Sequence, residues 1–526
     1  MKKSILSLLL VASIVSLSAQ TLFDASRYAK YDIMGTARYM ALAGSMGAIG
    51  GDPSAIYDNP GALGIYRSSE ISFTLNASPS VTFAPTSTYL SEANHFFFNF
   101  NQFSYVLALA SGKETGYVSS NFSFSYNRLR DFNREVFVRE DNVSSMNNMI
   151  ASLSQGFNPS AIVPSNSYAP YLSVLGYQGY GVNPGAGADS TNYYPAYATA
   201  DKMAYRAYES GRIDEYNFSY AANIGHYLYI GASIGLQTIN YSRTSTSAEA
   251  YAGDADMSIT NVFKTSGLGT VLRIGVIARP FSFLRLGFSF QSPVWYSMHD
   301  SYYASVDSRN LGGRNSTNYK LDYAMSDYKF NSPLRFQASV GIIFGKTGFI
   351  NVDYRYTHNS GMSFVDNTTN NNLFAVPLFA AENADIKNNA LTSHMLKVGA
   401  EIRIAQIFSI RAGAAYETKN ISSDASWMIM DNSTRTDLEV FHDLGTIYAG
   451  GGFGYRYNGF GVDLTYAYNR SEQYFSPYQS GATLSNGSNG VPKGYFALPS
   501  SAQRPAALSK IHTNHHNVVL TLLYKF

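Results

Sequence analysis

The residues with chemistry to offer are few and regularly placed. Charged side chains recur at alternate positions of extended segments: Arg273, Arg285, Arg335, Asp353, Arg355, Lys397, Glu401, Arg403, Arg411, Glu417 and Asp463. A guanidinium is a planar fork that grips a carboxylate through two hydrogen bonds, so Arg285 and Arg335 are candidates for holding an acidic head group. Mixed signs on neighbouring segments also suit ion-pair ladders that brace a wall. A second group, Met146, Met149, Ile150, Leu153 and Phe157, recurs at spacings of three and four, which puts one apolar face on a short helix. Methionine adapts to irregular apolar shapes. That face, followed by Tyr168, Tyr171, Tyr177 and Tyr180, reads either as a capture surface for a hydrophobic ligand or as the core of a folded loop. His512, His515 and His516 form the one histidine cluster. Adjacent strand residues point to opposite faces, so these are expected as surface or interfacial groups, with haem or metal capture as the other use. No Gly-x-Ser-x-Gly, phosphate loop or zinc-helix pattern occurs. An enzyme is not expected, and neither a cofactor nor a metal is called for.

What must position these groups is a wall of strands. Ile350, Val352, Tyr354 and Tyr356 alternate with Asn351, Asp353, Arg355 and Thr357, and Leu396, Val398, Ala400, Ile402 and Ile404 alternate with Lys397, Gly399, Glu401 and Arg403. This is the period of two that a half-apolar strand requires. At the C-terminus, Val518, Leu520, Leu522, Tyr524 and Phe526 share one face. An apolar stripe ending on an aromatic carboxylate resembles the closing strand of a bacterial outer-membrane barrel. Leu520, Leu522, Tyr524 and Phe526 would then be the signal that barrel-assembly machinery reads.

Composition agrees. Only 14% of the 526 residues are charged, against 42 Tyr, 33 Phe and 2 Trp. That balance makes a poor soluble surface but suits a lipid-facing band with aromatic girdles. A net charge of +2 gives no reason to expect nucleic acid. Residues 1–19 read as a signal peptide: Lys2 and Lys3 precede an apolar stretch, and Ala19 offers a cleavage site. Beyond it no apolar run approaches the ~20 residues of a spanning helix, which leaves a closed barrel as the way to satisfy backbone groups in lipid. The absence of Cys excludes disulfides and a lipidated cysteine.

Tight links near 112–116, 224–226, 280–282, 345–347, 405–406 and 457–459 alternate with long ones near 82–93, 136–212, 244–261, 296–318, 361–390, 421–442 and 472–510. Short periplasmic turns and long outer loops have this pattern. With 319–344 taken as one strand interrupted at Pro333, the expectation is an all-β, 14-stranded antiparallel transmembrane barrel over 70–526, both termini periplasmic. Residues 20–69 are rich in Gly and Ala, with turn signals at Asp52-Pro53 and Asn59-Pro60. They are expected to plug the lumen.

Within that segment, Gly35-Thr-Ala-Arg-Tyr-Met-Ala-Leu-Ala-Gly-Ser-Met-Gly-Ala-Ile-Gly-Gly-Asp-Pro-Ser-Ala-Ile-Tyr-Asp-Asn-Pro-Gly-Ala-Leu-Gly64 resembles the N-terminal hatch of the outer-membrane long-chain fatty-acid and hydrocarbon transporter family (FadL/TodX type). Asn59 and Pro60 match the family pattern, and Gly61 stands where Ala is usual. The resemblance implies a hatch in which Gly50, Gly51, Asp52, Asn59, Pro60 and Gly61 take part in gating. It implies a hydrophobic ligand captured between outer loops, passed to a pocket beside the hatch and released by hatch movement, often sideways at a kinked strand. The implied function is passive uptake of long-chain fatty acids or similar compounds by a monomer in the outer membrane of a Gram-negative cell, among lipid and lipopolysaccharide. Two alternatives stand beside it: a barrel of the same family that serves type IX secretion by receiving exported proteins, and a haemin receptor.

Overall fold

Apolar and small polar residues alternate because each strand separates two different media. The computed structural model describes residues 20–163, 169–367, 378–405, 407–423, 425, 429–430, 434–478, 483–484, 495–497 and 509–526; the expected signal segment 1–19 and Tyr168 lie outside them. The strands are β1 (Glu70–Pro85), β2 (Leu90–Ala110), β3 (Tyr117–Asp131 and Arg134–Ser144), β4 (Thr199–Ile224), β5 (Leu228–Tyr251), β6 (Ala255–Phe281) and β7 (Leu284–Gln291 and Trp295–Arg309). They continue as β8 (Thr317–Lys320, Ala324–Asn331 and Arg335–Phe344), β9 (Gly348–Thr357 and Ser363–Asp366), β10 (Ser393–Ile404), β11 (Phe408–Thr418), β12 (Val440–Tyr457), β13 (Phe460–Ser476) and β14 (Ser509–Lys525). Each pairs antiparallel with the next. β14 pairs with β1 from Glu70↔Lys525 to Phe83↔His512, which closes the barrel at fourteen strands. Ser69 and Phe526 exchange backbone hydrogen bonds at 3.1 and 3.0 Å, so the last residue is pinned into the ring.

The outward stripe is apolar and exposed, with Ile230, Ile274, Phe288, Leu396, Ile410 and Leu520 among its members. On β13, Phe460 and Tyr468 bracket Val462 and Leu464 across eight residues, ~27 Å of strand. At a tilt of ~40° that length rises ~21 Å, most of the ~25 Å apolar band that aromatic girdles flank in a membrane barrel. Among the described residues no helix is long and apolar enough to cross a membrane.

The tight turns fall where the sequence puts them, at 111–116, 225–227, 282–283, 345–347, 458–459 and, at 405 and 407, either side of residue 406. The opposite end differs. The expected long links 82–93 and 244–261 are strand almost throughout, leaving only 86–89 and 252–254, while 136–212 and 296–318 shrink to 145–198 and 310–316. Polarity is the reason. On β5 the outward Ser242, Thr244 and Thr246 are as polar as the inward Ser245 and Ser247, because above the lipid the outer face meets water. Ladder bonds, here with Asn261 and Thr260 of β6 among the partners, hold such strands without an apolar stripe.

β8 is interrupted at Pro333 as expected, and β7 carries an unforeseen twin at Pro293. Proline cannot donate to a ladder. The neighbouring hydroxyls compensate: Ser292 Oγ accepts from Leu272 N–H at 3.1 Å and Ser332 Oγ from Val294 N–H at 2.9 Å. Over the outer mouth, the described part of the link 145–198 folds into a cap of two helices, Met146–Ser154 and Tyr171–Gln178, and a small hairpin.

Candidate functional site: a plugged lumen with a split wall

Residues 20–69 lie inside the barrel. Helix α1 (Leu22–Ala29) starts at a reciprocal cap between Thr21 and Asp24; short helices Ala37–Ala41 and Ala55–Asp58 and a 3-10 turn, Pro60–Ile65, follow. The segment is built of small residues because its backbone lies directly on the wall, and the wall answers with glycine. A Cβ on Gly275 would sit 2.0 Å from Asn59 Oδ1, on Gly231 2.3 Å from Pro60 O, on Gly413 2.3 Å from the Leu42 carbonyl carbon, and on Gly450 2.4 Å from Met40 O. These four positions on β5, β6, β11 and β12 form a seat that the sequence showed only as polar-face fillers. In the plug itself, Gly50 and Gly51 both adopt left-handed φ, 63° and 66°, at a turn that other residues resist.

Wall side chains grip the plug mostly by its backbone. Tyr448 donates to Met40 O at 3.0 Å, Thr465 to Ala37 O at 2.7 Å and Ser289 to Asp58 O at 2.6 Å, while Asp353 accepts from Met46 and Gly47 N–H. Asn59 is the plug's own keystone. Its amide donates to Gly47 O at 2.8 Å and Val276 O at 3.2 Å, and its oxygen accepts from Gly61 N–H at 3.0 Å. Pro60 opens the 3-10 turn behind it. Asp52 accepts from the Thr36 hydroxyl and Ser54 N–H; burial pushes its carboxyl up, against the opposing pull of Arg38.

The candidate carboxylate arginines are engaged with the plug. Arg285 donates to Ile49 O at 2.6 Å, and Arg335 donates to Ala29 O while stacking 4.0 Å over the Tyr31 ring. Most of the remaining lumen charges pair with one another or with the plug, as the ladders require. Arg38 of the plug meets Glu401 at 2.7 Å, Glu401 takes Arg411 at 2.8 Å, and Arg411 and Arg456 share Asp463. Asp58 accepts from Lys397 at 2.6 Å, from Tyr39 OH at 2.7 Å and from Arg355. Burial opposes its charge, but Arg355 and Lys397 win, and the carboxyl lies below its ordinary range. The link near 421–442, expected outside, instead sends its buried segment 434–439 inward, where Arg435 pairs with Asp24 of α1.

Above the plug the lumen is aromatic. Leu22, Tyr28 and Tyr31 of the plug pack in one cluster with Tyr241, Phe263, Tyr296, Phe330 and Phe364 of the wall; Phe263 and Tyr302 stack at 5.0 Å. The methionine face lies higher, within the cap. Met146, Met149, Ile150 and Leu153 are fully buried, with Phe157 packed alongside. Between the plug and the wall a polar cavity of about 120 Å³ is lined by Arg27, Arg134, Glu209 and His515 among others. His516 points the other way and bonds Tyr466 OH at 2.6 Å. Among the described residues no His/Cys/Asp/Glu group is placed to hold a metal.

One seam in the wall is open. β2 and β3 share a ladder only from Ala110↔Ser119 to Gln102↔Asn127. Beyond it, among the described residues, β2 pairs only with β1 and β3 only with β4. A register shift between Arg128 and Arg130 and the break at 132–133 bend β3 away. Side chains bridge the gap: Asn99 donates to Asp131 at 2.6 Å, and Arg128 donates to Asn99 and, at 3.1 Å, to Asp214. Ala77 of β1 pairs with Phe98 on one side and Val518 on the other. Both partners are exposed apolar residues, so the seam begins within the lipid band. Leu129 and Phe132, at its inner edge, belong to the aromatic lumen cluster.

No family model and no curated protein matches the sequence. Solved structures do. The Pseudomonas putida toluene transporter TodX superposes with a TM-score of 0.50 at 10% identity, covering 94% of this chain and 99% of that one. A deltaS2S3 mutant of the TodX monoaromatic hydrocarbon channel gives 0.51 at 11% identity over 94% and 99%. A Pseudomonas aeruginosa FadL homologue gives 0.48 at 10% identity over 94% and 100%. With fourteen strands closed around an N-terminal segment, this chain has the fold of the FadL/TodX-type barrels.

Proposed function

We propose that the chain carries small hydrophobic molecules, long-chain fatty acids or similar, passively across an outer membrane. They enter under the cap, cross the aromatic lumen and leave sideways through the seam between β2 and β3. One observation carries this reading: the same apolar cluster contains Leu22 and Tyr28 of the plug and Leu129 and Phe132 at the seam. An apolar surface therefore runs from the plug to the split in the wall. Each methylene kept from water is worth ~0.8 kcal/mol, so such a path carries cargo that the sugar layer of lipopolysaccharide would exclude. The cargo class agrees with the toluene and monoaromatic hydrocarbon named for the structural neighbours. On this reading the protein works as a monomer without chemistry. Met146, Met149, Ile150, Leu153 and Phe157 meet ligand when the cap loosens, and Gly50, Gly51, Asp52, Asn59, Pro60 and Gly61 let the plug adjust. Residues 1–19 serve as a removable export signal, and Leu520, Leu522, Tyr524 and Phe526 address the assembly machinery.

Native mass spectrometry of the detergent-purified barrel tests the proposal. A bound apolar molecule, displaced by excess competitor, is the expected result. An empty barrel with a co-purifying exported protein would replace this reading with the secretion role.

A further inference from the structure

Asp300, on β7, is a buried carboxylate in neutral company. It is 1% exposed, and its oxygens accept from Thr265 Oγ1 at 2.7 Å, Tyr302 OH at 3.0 Å and Gln20 Nε2 at 3.1 Å. Among the described residues no basic side chain pairs with it: Arg27 and Arg435 both go to Asp24, and His299 goes to Asp327. Other lumen acids do have a cation, such as Glu215 with Arg273 and Glu209 with Arg134. A carboxylate kept from water without a counter-charge is costly, even when hydrogen-bonded. The residue that reaches it from the plug is itself 3% exposed. The same Gln20 nitrogen lies 3.5 Å from Tyr302 OH and 3.4 Å from Ser326 Oγ. Gln20 stands directly ahead of the Thr21 cap of α1, and it follows the expected cleavage site at Ala19. Its own backbone nitrogen is therefore within one glutamine side chain of the bond to Asp300.

We infer that the α-ammonium freed on Gln20 by removal of the export signal is the counter-charge of Asp300, so that processing fastens the new chain end to the wall of the lumen. This rests on residues 1–19 being a removable signal, and it adds which bond is cut and what the new terminus binds. Hydrolysis of the Ala19–Gln20 amide consumes one water. Ala19 leaves with the carboxylate, and the Gln20 nitrogen keeps its electron pair and takes up protons to become an ammonium. An ordinary α-amine titrates at ~7.7–8.0, so it is charged at neutral pH, whereas the amide nitrogen it replaces is not. The other titratable groups facing this spot are Tyr28, Tyr302, Tyr328 and Asp24. Asp24 is already held by two arginines, which leaves Asp300 as the open partner. The dipole of α1 disfavours a cation at its start, but that is a smaller effect than leaving a buried carboxylate without one.

Two measurements test it. Tandem mass spectrometry of the barrel purified from outer membranes should find Gln20 as the N-terminal residue, with a free amine. A terminus at any other bond, or Gln20 cyclised to pyroglutamate with loss of ammonia, would overturn the inference while leaving the export signal intact. Retention of residues 1–19 would overturn both. The second measurement reads the charge. Labelling of the α-amine by an amine-reactive ester, followed in the folded barrel across a pH series, should show a midpoint above the ordinary range, because a neighbouring carboxylate favours the ammonium. In Asp300→Asn the midpoint should fall by about one unit, making labelling near neutral pH about tenfold faster, and Asp300→Glu should keep it slow. Equal rates in the wild type and Asp300→Asn would overturn the pairing. The first measurement uses the unaltered protein, so it decides the matter even where Asp300→Asn disturbs the plug.

Discussion

Asn59 shows how much of the plug rests on one side chain. Asn59→Ala strands the Gly47 carbonyl and the Gly61 N–H; a buried polar group left unpaired costs ~1–3 kcal/mol. The expected outcome is a looser plug, seen as more frequent openings in planar-bilayer recordings. Gly275→Val acts from the other side by filling the space Asn59 occupies. The barrel should still fold and keep its heat-modifiable mobility on gels, while trypsin gains access to the otherwise buried Arg38. Asp58 gives the pH dependence. Its carboxyl titrates below the ordinary 3.8, so its contribution is complete above that value and is lost as pH falls through the lower, folded-state value. Hydrogen-exchange protection of the plug should hold to about pH 4 and decline only below it. In Asp58→Asn protection should already be weaker at neutral pH, because Lys397 and Arg355 lose their shared partner. The Asn59-Pro60 pair was legible in the sequence, being a turn signal. Gly231, Gly275, Gly413 and Gly450 were not, because a glycine on the polar face of a strand looks the same whether it faces water or another backbone.

At the scale of elements, the seam makes the most direct claim. The chain has no cysteine, so Asn99→Cys with Asp131→Cys creates a single pair across it. Joining the two with a short bis-maleimide should abolish uptake of a hydrophobic compound, whereas each single variant, labelled alone, transports. Full uptake by the cross-linked barrel would exclude sideways exit. The inward segment 434–439 suggests a second experiment. Arg435 ties an outer link to α1 through Asp24, so Arg435→Gln should raise hydrogen exchange in residues 22–29 while leaving the strands protected. Sequence located the strands that touch lipid and the break at Pro333, because apolar alternation and proline chemistry are local. It missed the polar upper halves of β1, β2, β5 and β6, which lack an apolar stripe, and the seam, which arises from a bulge and a register that two strands set jointly.

For the molecule as a whole, closure and strand count were readable from turn spacing and the C-terminal stripe, since a barrel wall repeats one simple pattern. The cap was legible as the core of a folded loop, from the spacing of Met146, Met149, Ile150 and Leu153; the aromatic lumen was not, because its contacts join residues hundreds of positions apart, such as Tyr28 with Thr265 at 2.7 Å. β6 runs from Ala255 to Gly267 before reaching Leu268, the first strongly exposed apolar residue on its outer face. Those thirteen residues span ~44 Å along the strand, or about 34 Å of height at a typical tilt of ~40°. The mouth is thus carried on a collar of paired strands that stands well clear of the apolar band. Antibodies against residues 242–262 should label intact cells. Such a collar is exposed to selection from outside the cell, and its outward side chains can drift freely as long as the ladder beneath them is kept.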